Sequence, residues 1–186
     1  MADPSPLFPA PPPAPRLATV PLPEGIHGRA RWSEDRAYRY ALTWLQMPPV
    51  GGRKPVVIGL NPSGASEEAG DRTLVRILGF FPAGFTMLNL FALRATEPKA
   101  LLQSADPVGP ENDQTIAEAI RTASMIVAAW GSPPSGKLGA LVEDRARVVR
   151  GALRGREVYC LGTTRDGWPR HPLHLPGDTE LRPWTF

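Results

Sequence analysis

Two asparagines stand where an amide can do chemistry. Asn61 follows the apolar run Pro55-Val56-Val57-Ile58-Gly59-Leu60 and precedes Pro62, which pushes it toward an extended backbone. Its amide offers an acceptor and two N–H donors, enough to hold a water or read the edge of a base. The competing role is a turn cap made by the same side chain. Asn89 lies within Phe85-Thr86-Met87-Leu88-Asn89-Leu90-Phe91. An amide among apolar residues is costly unless hydrogen-bonded. It either reaches a ligand, pairing with the carbonyl and N–H of a pyrimidine, or ties down a neighbouring loop.

A third candidate is His171, in the polar and aromatic segment Arg165 to Leu175. An imidazole there can donate to a developing negative charge or titrate near neutral pH, although a His-Pro pair also makes a plain turn. Arg170 beside it can contact a phosphate. Phe80, Phe81 and Trp168 can stack on a base, a role that competes with filling the core. Several chemistries are excluded. Neither GxxxxGK[ST] nor GxGxxG occurs, so no phosphate-cradling glycine loop is predicted, and GxSxG is absent. Three histidines and one cysteine at scattered spacings give no metal site, and no cofactor is expected.

These residues need elements to position them. Short apolar runs at 55–60, 85–91, 124–130 and 157–161 read as buried parallel strands. Helices are predicted between them: Arg72 to about Phe80 with Asp71 as N-cap, a short one capped by Thr96, Pro110 to about Ala123, and about Gly136 to Leu153. Arg29–Trp32 and Tyr38–Trp44 read as a hairpin turning at Ser33-Glu34-Asp35. The expected architecture is therefore α/β: three layers, α/β/α, around a mostly parallel four-stranded sheet, with an N-terminal hairpin. Each strand ends in a loop rich in Asn, Pro, Gly, Ser or Thr, and that edge of an open sheet is where ligands bind. The loops are 61–64, Asn89 with Arg94-Ala95-Thr96, Gly131-Ser132-Pro133, and 163–175.

Composition agrees with one domain. The chain has 186 residues, 42% hydrophobic and 21% charged, enough for a sizeable core. Many of its 23 prolines crowd the first 23 residues. Residues 1–24 read as a disordered, polyproline-like tail and residues 25–186 as the domain. Neither a secretory signal nor a transmembrane span is expected. A lone cysteine, Cys160, fits a reducing cytoplasm and reads as a buried strand residue. The net charge of +3 is unevenly spread: from Arg145 onward eight arginines face four acidic residues. Arg147, Arg150 and Arg154 share a helix face, which serves either to neutralise phosphates or as a solvated surface.

Taken in order, the loops carry a resemblance. Gly59-Leu60-Asn61-Pro62-Ser63 resembles the first motif of the mismatch-specific branch of the uracil-DNA glycosylase superfamily. Asn89-Leu90-Phe91 with Arg94 to Pro98 resembles its second core strand and exit. Ser124 to Gly131 resembles its third strand, and His171-Pro172-Leu173 its histidine-proline loop. More closely, the stretch from Tyr38 to Leu175 resembles an uncharacterised bacterial and phage family known as a domain of unknown function. The shared pattern is Leu60 to Ser63, Asn89 to Phe91, Asp106 to Asp113, Ala129 to Gly131 and Arg170 to Leu173.

The resemblance implies a domain whose strand ends grip a base extruded from DNA, since the glycosidic bond is unreachable inside a duplex. Asn61 would position the attacking water, and His171 would stabilise the leaving pyrimidine anion or contact backbone phosphate. Asp71, the nearest acid, would stand in for the catalytic carboxylate that the first loop lacks. Asn89, with Phe80, Gly59 and Leu60, would hold the base. Pro62, Ser63, Arg170, Arg94 and Ser132 would hold phosphates. Three functions stand: a uracil- or mismatch-type DNA glycosylase, a non-catalytic nucleic-acid or nucleotide-binding module, and an enzyme on free or modified nucleotides. The partner is DNA or a nucleotide, the expected state a monomer. The first two readings require Asn61 and Asn89 to share a pocket about one base wide. The third predicts an arginine stripe remote from the pocket mouth.

Overall fold

The computed structural model describes residues 19–49 and 51–186. Most of the segment read as a tail lies outside them. Val20–Pro21 (β1), inside that segment, pairs antiparallel with Ala69–Gly70 (β5) as a separate two-stranded ribbon. A proline is tolerated there because so short an edge needs few ladder donors.

The main sheet has seven strands. In chain order they are β2 (Ile26–Trp32), β3 (Arg39–Gln46), β4 (Val56–Gly59), β6 (Gly84–Asn89), β7 (Ile126–Ala128), β8 (Val158–Cys160) and β9 (Arg182–Pro183). Their spatial order is β2-β3-β6-β4-β7-β8-β9. The four apolar runs do form a parallel block, β6-β4-β7-β8. The sheet as a whole is mixed, which corrects the expectation of a mostly parallel four-stranded sheet. The β2–β3 hairpin is not a separate appendage. Leu42 to Leu45 pair antiparallel with Gly84 to Met87, so β3 joins the hairpin to the parallel block. At the other edge β9 pairs antiparallel with β8.

Three helices cover the sheet: α1 (Arg72–Phe80), α2 (Asn112–Thr122) and α3 (Lys137–Ala152). Alternate residues of each strand point to opposite faces and so feed two separate cores. Val56, Ile58, Leu88 and Leu90 pack with Ile116, Ile120, Val142 and Val149 of α2 and α3. Leu42, Trp44, Val57, Phe85 and Met87 pack with Leu74 and Ile77 of α1. Helices thus lie on both faces, and α1 lies alone on its side. Asp71 caps α1 as predicted, its Oδ1 accepting from the Leu74 N–H at 2.9 Å. Thr96 does not cap the next helix: a 3₁₀ turn spans Pro98–Gln103 behind Glu97, with no side-chain cap. Among the described residues no helix is long and apolar enough to cross a membrane.

Candidate functional site

The carboxyl ends of β4 and β6 open into a cavity of about 320 Å³ on the α1 side of the sheet. That is at the small end of the roughly 300–1,000 Å³ of ligand pockets. Six of the residues singled out in the sequence line it: Leu60, Asn61, Ser63, Asp71, Asn89 and His171. The first four come from the segment between β4 and α1, and Asn89 from the end of the adjacent parallel strand β6. His171 arrives from far along the chain.

Asn89 ends β6 and is 1% exposed. Its Oδ1 and Nδ2 are both buried, and neither has a hydrogen-bond partner. It is the one side chain among the described residues with two such atoms. Each unmade bond in a buried site costs about 1–3 kcal/mol. The close approach of Gly59 makes room for it. A Cβ on Gly59 would come within 2.4 Å of Met87 Cε and 3.0 Å of Asn89 Oδ1.

Asn61 is partly committed. Its Nδ2 donates to the carbonyls of Ala95 at 2.6 Å and Pro62 at 3.0 Å, locking the first loop to the exit of β6. Its side-chain oxygen is the group it has to offer a ligand or water. Pro62 is buried, and its carbonyl also accepts from the Ala95 N–H. Asp71 uses one oxygen for the helix cap and the other for the Ser63 hydroxyl, at 2.6 Å. This carboxylate is held as an anchor of the loop. His171 opens a short 3₁₀ turn, its Nδ1 accepting from the Leu173 N–H at 3.3 Å.

Residues 39–173 match the family described as a protein of unknown function, DUF1643. The chain belongs to that family. Every motif of the uncharacterised-family pattern lies within the matched span, including the loops that build the cavity. No curated protein and no solved structure matches the chain. The resemblance to uracil-DNA glycosylases therefore finds no counterpart in these comparisons.

Other predicted residues lie elsewhere. Phe80 is at the far end of α1 from Asp71, about 12 Å along a helix of that length. Arg94 stacks over Trp32, 5.0 Å from the ring centroid, with Arg36 also over that ring at 4.5 Å. Ser132 is exposed and does not line the cavity. Arg170 donates from Nε to the Thr163 carbonyl and lines a separate polar depression with Gly162 and Arg182. None of Arg147, Arg150 and Arg154 lines the cavity either. Arg147 pairs with Asp144. Arg150 sits over the rings of Trp168, Trp184 and Phe186. Arg154 lies where α3 hands over to β8, at the amino edge of the sheet.

One cavity residue had escaped the sequence reading. Arg39, read only as part of the strand Tyr38–Trp44, begins β3, lines the cavity and is 3% exposed. Burial lowers its guanidinium to about 10, so it stays charged at neutral pH. No group of His, Cys, Asp and Glu among the described residues is arranged to hold a metal ion.

Proposed function

We propose that this chain binds a pyrimidine-type nucleobase, as the base itself or carried by a free nucleoside or nucleotide, in the cavity at the carboxyl ends of β4 and β6. The observation that carries the reading is the Asn89 amide, buried beside the cavity with donor and acceptor both unmatched. An amide complements the carbonyl and N–H edge of a pyrimidine, and such a ligand would supply the two missing bonds. Small free ligands are favoured over a DNA strand because Arg147, Arg150 and Arg154 do not border the cavity. Asn61, through its remaining oxygen, and His171 would orient the ligand at the mouth.

A second reading, hydrolysis of the glycosidic bond of an extruded base, is favoured by Asn61, Asn89 and His171 lining the same cavity. One pair of experiments separates the two. Calorimetric titration with uridine, cytidine and thymidine and their monophosphates should give saturable binding to wild type, absent in Asn89→Leu. Oligonucleotides carrying uracil or G·U and G·T mismatches are then incubated with the protein and treated with alkali. Strand breaks lost in Asn61→Ala and Asn89→Leu would establish hydrolysis. Failure of every pyrimidine to bind would overturn the nucleobase reading.

A further inference from the structure

Arg39 is a buried charge without a counter-ion in contact. Its Nη1 donates to the Ala65 carbonyl at 2.6 Å, while its buried Nε has no partner. No ion pair to Arg39 forms among the described residues, although Asp71 and Glu67 stabilise its charge through space and Arg94 opposes it. Both neighbouring carboxylates have other duties. Asp71 holds the Ser63 hydroxyl and the α1 cap, and Glu67 binds the Trp32 indole N–H and Arg36. Elsewhere the fold supplies a buried guanidinium with a carboxylate: Arg145 has Asp113. Leaving a buried charge unpaired is strongly unfavourable, so a group from outside the chain is the natural complement.

We propose that Arg39 makes this cavity selective for an anionic ligand, with the guanidinium as counter-ion to a phosphate or a carboxylate. The inference rests on the base-binding reading and narrows it to charged substrates. A neutral base or nucleoside would satisfy Asn89 and leave Arg39 uncompensated. The oxyanion has two possible sources: the phosphate of a nucleoside monophosphate, or a carboxylate on the ring itself, as in orotate. A fork of planar N–H donors suits either.

The test is a calorimetric series on the full-length protein with uracil, uridine, uridine 5′-monophosphate, orotate and inorganic phosphate. Wild type should bind the monophosphate or orotate at least about tenfold tighter than its neutral counterpart, the size of one charge-assisted contact. The tighter of the two names the source of the charge. Arg39→Met should erase that preference, and Arg39→Lys should keep part of it. If Arg39→Met does not fold by circular dichroism, the wild-type series and Arg39→Lys decide the matter. Equal affinity for charged and neutral ligands, or a preference surviving in Arg39→Met, overturns the anion site and leaves the base-binding reading intact. Binding of inorganic phosphate without any pyrimidine keeps the anion site and overturns the base. No binding at all overturns both.

Discussion

The end of β6 has a buried asparagine and a buried arginine on each of its two faces, and the pairs are finished differently. On the side covered by α2 and α3, Asn112 donates from Nδ2 to the carbonyls of Asn89 and Leu90 at 3.2 and 3.0 Å. Arg145 donates from Nε to the same Leu90 carbonyl at 2.6 Å. Its Nη2 meets Asp113 by charge contact rather than through a well-aligned hydrogen bond. Asn112 Oδ1 and Arg145 Nη2 are the atoms of this pair that no hydrogen bond reaches, and Nη2 has the Asp113 carboxylate beside it. On the α1 side, Asn89 has no side-chain partner at all, and Arg39 holds one carbonyl. Polar groups that fasten a fold bring their partners in the same chain. The pair without them, Asn89 and Arg39, is the one that lines a cavity.

Breaking the fastened side should cost most. Asn112→Ala takes the side-chain donor from the buried Asn89 carbonyl and leaves Leu90 with Arg145 alone; it should lower stability by about 1–3 kcal/mol in urea unfolding, with the m-value unchanged. A loss below about 1 kcal/mol would mean this cluster is not structural. Asn89→Leu should behave in the opposite way. Removing an unmatched amide should leave stability unchanged or raise it by about 1 kcal/mol, while the calorimetric signal of the bound ligand disappears. If Asn89→Leu destabilises as much as Asn112→Ala, the contrast between the faces collapses.

Smaller changes sharpen the comparison. Asp71→Ala removes the α1 cap and the acceptor for Ser63, and should cost about 1 kcal/mol by thermal melting. Gly59→Ala presses a methyl toward Met87 Cε and Asn89 Oδ1. Because the methionine end can move, the stability cost should be near 1 kcal/mol, and ligand affinity should fall further than stability does. The smallest effect is expected at Cys160, which is buried in the α2 and α3 core. Burial pushes its thiol up, so thiolate is scarce. Iodoacetamide at pH 8 should leave the native protein unmodified by mass spectrometry and label it only in denaturant. Rapid native labelling would show that this face is less closed than its packing indicates.

Legibility in the sequence followed locality. The four apolar runs, the Asp71 cap and the span of α1 were readable because each depends on residues a few positions apart. Asn89 was visible because a lone amide interrupts an apolar strand. Which strands pair was not written locally: nothing within Arg39–Gln46 announces β6 as its neighbour. The commitment of Asn61 to the Ala95 carbonyl, 34 residues away, was equally hidden. Arg39 was missed because a charge in an alternating strand has the same pattern whether its face meets water or a cavity. Phe80 was chosen for its ring alone, and nothing local told that the end of α1 carrying it lies away from the cavity.

The cavity takes its wall from chain segments as far apart as Arg39 and His171. No contiguous fragment short of that span contains the whole site, so a nascent chain becomes competent to bind only after His171 has left the ribosome. In the finished protein occupancy opposes the local opening of each contributing segment as well as global unfolding, because unfolding any one of them dismantles the site. Ligand should therefore slow hydrogen exchange in β3, β4 and β6 together, and make the cell's free ligand concentration a determinant of how long the protein survives.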